Sequence, residues 1–282
     1  FTFLSGMVYG LRPFVGDSRR FLVGKCRRLL IPMMVVGTIF VLVQAVTPGS
    51  NAVVGNWWLL HVQPVAHFWF IESLFWVFLL VWLAERQRWI MSSVGFVIAL
   101  ILACLLYLTV QGPHWFSIDG AIYLLPFFLC GLAVVRFNLW SILDRHGVKI
   151  LLAILAAASV WQIGAPVPNP DRRTVWVLVA GIALCGLCLA PRLEVSWLCR
   201  IGRASYAIYL FHVFFTAASR IFFIKAGLAI IPLEIVGGLA AGVIGPVLID
   251  HFASGVRLAA LLLLGKKVSV KEASGRSLSA AN

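Results

Sequence analysis

Between Arg28 and Glu72 the chain carries no formally charged side chain, and further charge-free stretches follow at residues 89–118, 120–135, 150–170, 174–191, 204–219 and 235–249. Few folds accept that pattern. A hydrocarbon core about 30 Å thick takes about 20 residues of apolar helix. Inside it every backbone N–H and C=O must find a partner in the protein, which only helices and closed barrels achieve. Barrel strands alternate polar and apolar residues, and these stretches do not. The expected fold class is therefore all-α, a polytopic transmembrane helix bundle. Composition agrees: 62% of the 282 residues are hydrophobic and 12% charged, with mean hydropathy +1.00. That leaves too little polar surface to coat a water-soluble globule.

Nine spans follow from the stretches and the turns between them, the first of them partial: residues 1–11, 29–46, 67–84, 90–110, 118–135, 150–164, 174–190, 205–224 and 228–249. The bundle is assigned to residues 1–265, and the small, polar segment 266–282 is expected to be a disordered tail. Pro48 to Asn51 reads as a turn, and Trp57 and Trp58 as interfacial aromatics. With this span order, 19 of the 23 Lys and Arg residues fall on one side. The other side holds Arg172, Arg173, Arg220 and Lys225. Such a bias over short loops places the basic side and the tail in the cytoplasm.

The formal charge of +13 thus has a topological explanation. Its residues are scattered over short loops and form no single face, so membrane lipids are the expected partners and nucleic acid is not. Cys104, Cys130, Cys185 and Cys188 sit in apolar stretches, Cys26 and Cys199 in basic ones, and no disulfide framework is implied. The Cys185-Gly-Leu-Cys188 spacing has no second pair and no basic neighbour, so it reads as small apolar packing, and no metal is expected.

Ionisable groups within spans are costly and mark functional positions. His67, Glu72 and His212 are the catalytic candidates. Ser205, Tyr209 and His212 follow i, i+4, i+7 and form a polar stripe that must face a neighbouring helix or a wet cavity. Trp69, Glu72 and Trp76 share another face, whereas a continuous helix would point His67 and Glu72 about 140° apart at roughly 100° per residue. Ser5-Gly6 with Tyr9 one turn on is first of all a small pair permitting close helix approach. In the basic block Arg12 to Arg28, Lys25, Arg27 and Arg28 have two readings. They satisfy topology, and they suit the phosphates of an anionic donor.

These pieces resemble, in order and spacing, the acyltransferase-3 family of integral-membrane O-acyltransferases. The residues concerned are Phe3-Leu-Ser-Gly6, Phe21-Leu22 through Lys25 and Arg28 to Leu29-Leu-Ile-Pro32, His67-Phe-Trp-Phe70, Phe127-Phe-Leu-Cys-Gly131, and Ile201-Gly-Arg-Ala-Ser-Tyr-Ala-Ile-Tyr-Leu-Phe-His212. The resemblance implies a ten-helix bundle of the bacterial inner (plasma) membrane. It also implies transfer of an acetyl, succinyl or similar group from cytoplasmic acyl-CoA to a hydroxyl of a glycan or lipid-linked sugar, with no permanently bound cofactor. By the same resemblance, a first helix carrying the principal histidine precedes Phe1, and Lys25 stands where the family's inner-loop pair has its first arginine. Lysine keeps the charge and loses the bidentate fork. Ser5, Trp69, Ser205 and Tyr209 are the expected cavity lining, and Lys25, Arg27 and Arg28 the donor contacts. Two alternatives remain: a transporter or flippase of a lipid-linked saccharide, with inverted halves and broken helices, and a catalytically incomplete relative. Gly237-Gly238, Gly242 and Gly245-Pro246 are where the last helix would break.

Overall fold

The computed structural model describes residues 1–14, 16–47, 59–63, 65–140, 145–164, 173–189, 195–228 and 230–267. The turn at Pro48–Asn51, Trp57, Trp58, Arg172, Arg192 and the tail beyond Lys267 lie outside them. Among the described residues all regular structure is helical: α1 (Thr2–Leu11), α2 (Ser18–Lys25), a π turn (Cys26–Leu30), α3 (Ile31–Val46), a 3₁₀ turn (Ala66–Phe68), α4 (Trp69–Arg86), α5 (Ser93–Thr109), a second 3₁₀ turn (Trp115–Ser117), α6 (Ile118–Arg136), α7 (Arg145–Gly164), α8 (Val175–Leu189), α9 (Ser196–Arg203), α10 (Ser205–Lys225), α11 (Ile231–Gly255) and α12 (Arg257–Leu264). By length and composition five helical stretches can cross a membrane: Ser18–Val46, Ala66–Arg86, Trp115–Arg136, Ser205–Lys225 and Ile231–Gly255. The other four segments expected to cross form apolar helices of 10–17 residues, Thr2–Leu11, Ser93–Thr109, His146–Val160 and Val175–Leu189.

The basic block differs from the loop its charge suggests. Asp17 caps its start through a 2.9 Å bond from the Arg19 N–H, and Arg, Leu and Lys are good helix formers. It therefore winds into α2. The helix then widens, with the Ile31 N–H bonding to the Cys26 carbonyl, and runs without a break into α3.

The chain divides into two compact units. The first, Phe1–Leu22 with Glu72–Leu193, holds α1, most of α4, and α5 to α8. Its tightest packing is α1 on α6. A Cβ on Gly6 would run into the Phe128 carbonyl, and one on Gly131 into the Phe3 carbonyl. The small pair read from the sequence is thus one half of a reciprocal close approach. Replacing Gly131 by Ala should force the helices apart at a cost of about 1–3 kcal/mol, visible as a lower thermal midpoint of the detergent-purified protein.

At the ends of α4 and α6 the same unit buries a charged cluster. The Arg136 guanidinium pairs with Glu85, donates 2.9 Å to the Ile90 carbonyl and lies over the Phe96 ring. The Tyr9 hydroxyl donates to the other Glu85 oxygen at 2.6 Å.

The second unit, Val23–Ile71 with Glu194–Asn282, holds α3 and α9 to α12. Gly242 admits Thr216, and Gly245 admits the Phe215 ring, so α10 and α11 pack closely along their length. α11 continues through both glycine clusters and Pro246 as one helix, without the break a transporter reading expects. α12 ends in an αL cap, with the Gly265 N–H bonding to the Leu261 carbonyl and the Lys266 N–H to the Ala260 carbonyl. Gly265 is required twice over: its φ is +61°, and a Cβ there would lie 2.5 Å from the Arg27 carbonyl. α9 leaves Trp197 and Leu198 exposed on one side, with Arg200 and Arg203 on the other, a pattern suited to the interface plane.

Candidate functional site

The polar stripe on α10 meets a partner within its own unit. Ala66 adopts a left-handed φ of +53°, and the 3₁₀ turn it opens brings His67 to α10. The Tyr209 hydroxyl donates to the His67 backbone carbonyl. The His67 ring lies 4.9 Å from that of His212 and 5.2 Å from that of Tyr209, centroid to centroid. Phe40 on α3 closes one side, edge-on to His67 and Phe68, and Phe70 stands 5.2 Å from Tyr209.

The two imidazoles are held differently. His212 Nδ1 lies 3.0 Å from the Ile208 carbonyl and 2.9 Å from that of Tyr209. Carbonyl oxygens only accept, so Nδ1 carries a proton and Nε2 is the atom free to take or release one. Both nitrogens of His67 are buried, and neither makes a hydrogen bond of good geometry among the described residues, although the Tyr209 and Leu210 backbone lies close enough to act on the ring. Buried polar groups ordinarily find partners. An imidazole satisfied at neither nitrogen, beside a second with a committed tautomer, is suited to binding a polar ligand and moving its proton.

Tyr206, one residue off the predicted stripe, adds a buried hydroxyl that also has no partner among the described residues. Arg28 lies close enough to act on it electrostatically. Tyr206 and Tyr209 are spaced i, i+3, so they share a face of α10. That spacing is the signal in the sequence for Tyr206. Ser205 opens α10 and is exposed, while Trp69 is half-buried with its ring 6.1 Å from Phe70. Arg27 directs Nε to the Gly265 carbonyl at 3.3 Å, which ties the π turn to the end of α12.

Two predicted residues belong to the first unit. Ser5 is half-buried on α1, beside Gly6. The Glu72 carboxylate accepts a 2.8 Å bond from the Ser117 hydroxyl. Ser73 donates to the Ser117 carbonyl at 2.9 Å, and the Trp76 indole to that of Phe116 at 2.8 Å. Phe116 and Ser117 both have left-handed φ, at +54° and +50°, and three contacts from about one turn of α4 hold this bend ahead of α6. Glu72 therefore has a structural partner of its own. Among the described residues no three His, Cys, Asp or Glu side chains converge as metal ligands would.

The family model described as an acyltransferase domain matches residues 1–251, most of the chain and every helix that shapes the histidine cluster. The chain belongs to the acyltransferase-3 family. No curated protein and no solved structure matches it. As an acyltransferase-family chain with apolar, membrane-length helices, it has a hydrophobic scaffold that buries the His67 imidazole nitrogens and the Tyr206 hydroxyl.

Proposed function

We propose that this chain is the membrane part of an O-acyltransferase that moves an acetyl, succinyl or similar group from cytoplasmic acyl-CoA to a hydroxyl of a glycan or lipid-linked sugar. In the bacterial inner membrane the bundle contributes nine spans in this chain, the first of them partial, with the basic loops and tail in the cytoplasm. What carries the reading is His67, an imidazole whose buried nitrogens meet no partner of good geometry among the described residues, with its ring 4.9 Å from that of His212, in a family whose reaction is acyl transfer.

The chemistry then assigns roles. The acceptor hydroxyl attacks the thioester carbonyl carbon, forming the new C–O bond while an imidazole takes its proton. Within this chain His67 and His212 serve, beside the histidine that the resemblance places upstream of Phe1. Charge develops on the carbonyl oxygen, where the Tyr206 hydroxyl supplies a donor. Collapse breaks the C–S bond, and the departing thiolate recovers the proton. Lys25 and Arg28 hold the phosphates of the donor, with Arg27 shared between that task and the end of α12. Tyr209 positions His67 through its backbone carbonyl.

Membranes containing the full-length protein, given labelled acyl-CoA and an acceptor glycan, provide the test. Arg28→Ala should raise the KM for acyl-CoA about tenfold or more, the effect of losing one charge-assisted bond of about 1.5–3 kcal/mol. Unchanged KM and kcat would remove Arg28 from the donor site.

A further inference from the structure

The π turn Cys26–Leu30 interrupts an otherwise α-helical run, with Lys25 leading into it and Arg27 and Arg28 part of it. Such turns are rare, carry one residue more than an α turn and concentrate at functional sites. The extra residue re-aims the side chains beside it, which here are the cations. Arg28 is exposed, and among the described residues no carboxylate pairs with it. It lies close enough to Lys25 and to the Tyr206 hydroxyl to act on both electrostatically.

A separate element packs on this turn. The end of α12 lies so near its backbone that a Cβ on Gly265 would stand 2.5 Å from the Arg27 carbonyl oxygen and 2.6 Å from the Arg28 Cα. The Gly265 carbonyl accepts the Arg27 Nε at 3.3 Å. α12 is itself fixed. It packs on α3 and α11, buries Ala260 and Leu264, and is followed by Lys266, which reaches back to Asp250 at 2.7 Å and Ser254 at 2.9 Å. All of these residues belong to the second unit. The family match ends at residue 251, ahead of α12, so this contact lies outside what the family model describes.

We propose that the end of α12 is a clamp on the donor site. Gly265, by its missing side chain and its carbonyl, holds the π turn in the conformation that presents Lys25 and Arg28 to the phosphates of the acyl donor. Gly265 is thus a positioning residue that acts through Arg28 and touches no substrate. The clamp rests on the reading of those cations as acyl-CoA contacts, and the experiment separates the two.

The protein in nanodiscs is titrated with radiolabelled coenzyme A, which carries the phosphates and no acyl group, so that affinity is read apart from turnover. Gly265→Asn tolerates the left-handed φ and adds the obstructing Cβ. It should weaken binding about tenfold, the scale of one charge-assisted bond. Arg28→Ala should weaken binding by a similar factor, and Gly265→Asn added to Arg28→Ala should weaken it no further, because both act on one contact. A further loss of about tenfold in the double variant would overturn the clamp, since independent sites add. Wild-type affinity in Gly265→Asn would also overturn it, whereas wild-type affinity in Arg28→Ala would overturn the donor reading beneath it. A second pair of variants leaves Gly265 in place. Lys266→Met removes a cation and Asp250→Asn an anion, so a mere change of local field would shift affinity for an anionic ligand in opposite directions. A loosened clamp weakens binding in both, by about threefold each, the scale of one exposed ion pair. Opposite shifts, or none, would overturn the clamp even where Gly265→Asn yields no folded protein.

Discussion

Replacing Glu85 by Ala should cost the protein about 3–5 kcal/mol, enough to lose most of the folded material from detergent extracts. The reason lies in what remains behind. Arg136 has 19% of its side chain exposed and Glu85 has 6%, so the pair is largely withdrawn from solvent. Without the carboxylate, the guanidinium keeps only the Ile90 carbonyl and the Phe96 ring, and the Tyr9 hydroxyl loses its acceptor. Removing both charges should do less harm than removing one. Glu85→Leu combined with Arg136→Met should recover much of the loss, because a buried ion pair exchanged for apolar side chains is often neutral. Tyr9→Phe alone should cost about 1.5–3 kcal/mol, the range for a bond to a charged group. Fluorescence-detected size exclusion after a heat step ranks the three variants, and a double variant as unstable as Glu85→Ala would mean that the cluster contributes more than charge pairing.

That cluster shows where the sequence was readable and where it was not. Glu85, Arg136 and Tyr9 stand at span ends or one turn from a small pair, and the basic bias of the loops accounts for Arg136 without any contact to the other two. Pairing α4 with α6 is a long-range fact, which neither hydropathy nor periodicity encodes. The helical class was legible because a bilayer leaves the backbone few choices. So was the role of Gly6, since a small residue in an apolar helix usually marks a close neighbour, although only the structure identifies Phe128 as that neighbour.

The site was legible in part, for related reasons. Tyr209 and His212 lie on one continuous helix, so helical spacing located them correctly on a shared face. His67 does not. It sits in a 3₁₀ turn opened by a left-handed Ala66, and α4 begins only at Trp69. An angle computed from 100° per residue across that junction has no meaning, which is why the relation of His67 to Glu72 could not be read from spacing. Glu72 is instead held by Ser117, a residue in a bend whose left-handed backbone no simple residue pattern announces. The basic block was read as a loop because charge marks a membrane boundary. Charge is silent about whether that boundary is helical, and Asp17 with good helix formers decides that it is.

Loss of the His67 imidazole should lower kcat by about 10²- to 10⁴-fold, the usual contribution of a positioned acid or base. His67→Ala removes the ring whose two buried nitrogens lack a partner among the described residues, and leaves the Tyr209 bond intact because that bond ends on the backbone carbonyl. Affinity for acyl-CoA should therefore stay near the wild-type value while turnover falls, the reverse of the split expected for Arg28→Ala. Added imidazole should restore part of the rate, since the deletion leaves a ring-sized space against Phe40 and Phe68. His212→Ala should show the same fall in kcat with weaker rescue, because its Nδ1 bonds to Ile208 and Tyr209 orient the ring in a way a free imidazole must rebuild. Tyr209→Phe, which frees the His67 carbonyl and touches no nitrogen, should cost less than either histidine. Equal kcat in wild type, His67→Ala and His212→Ala, measured in native membranes, would reduce the cluster to an interhelical contact.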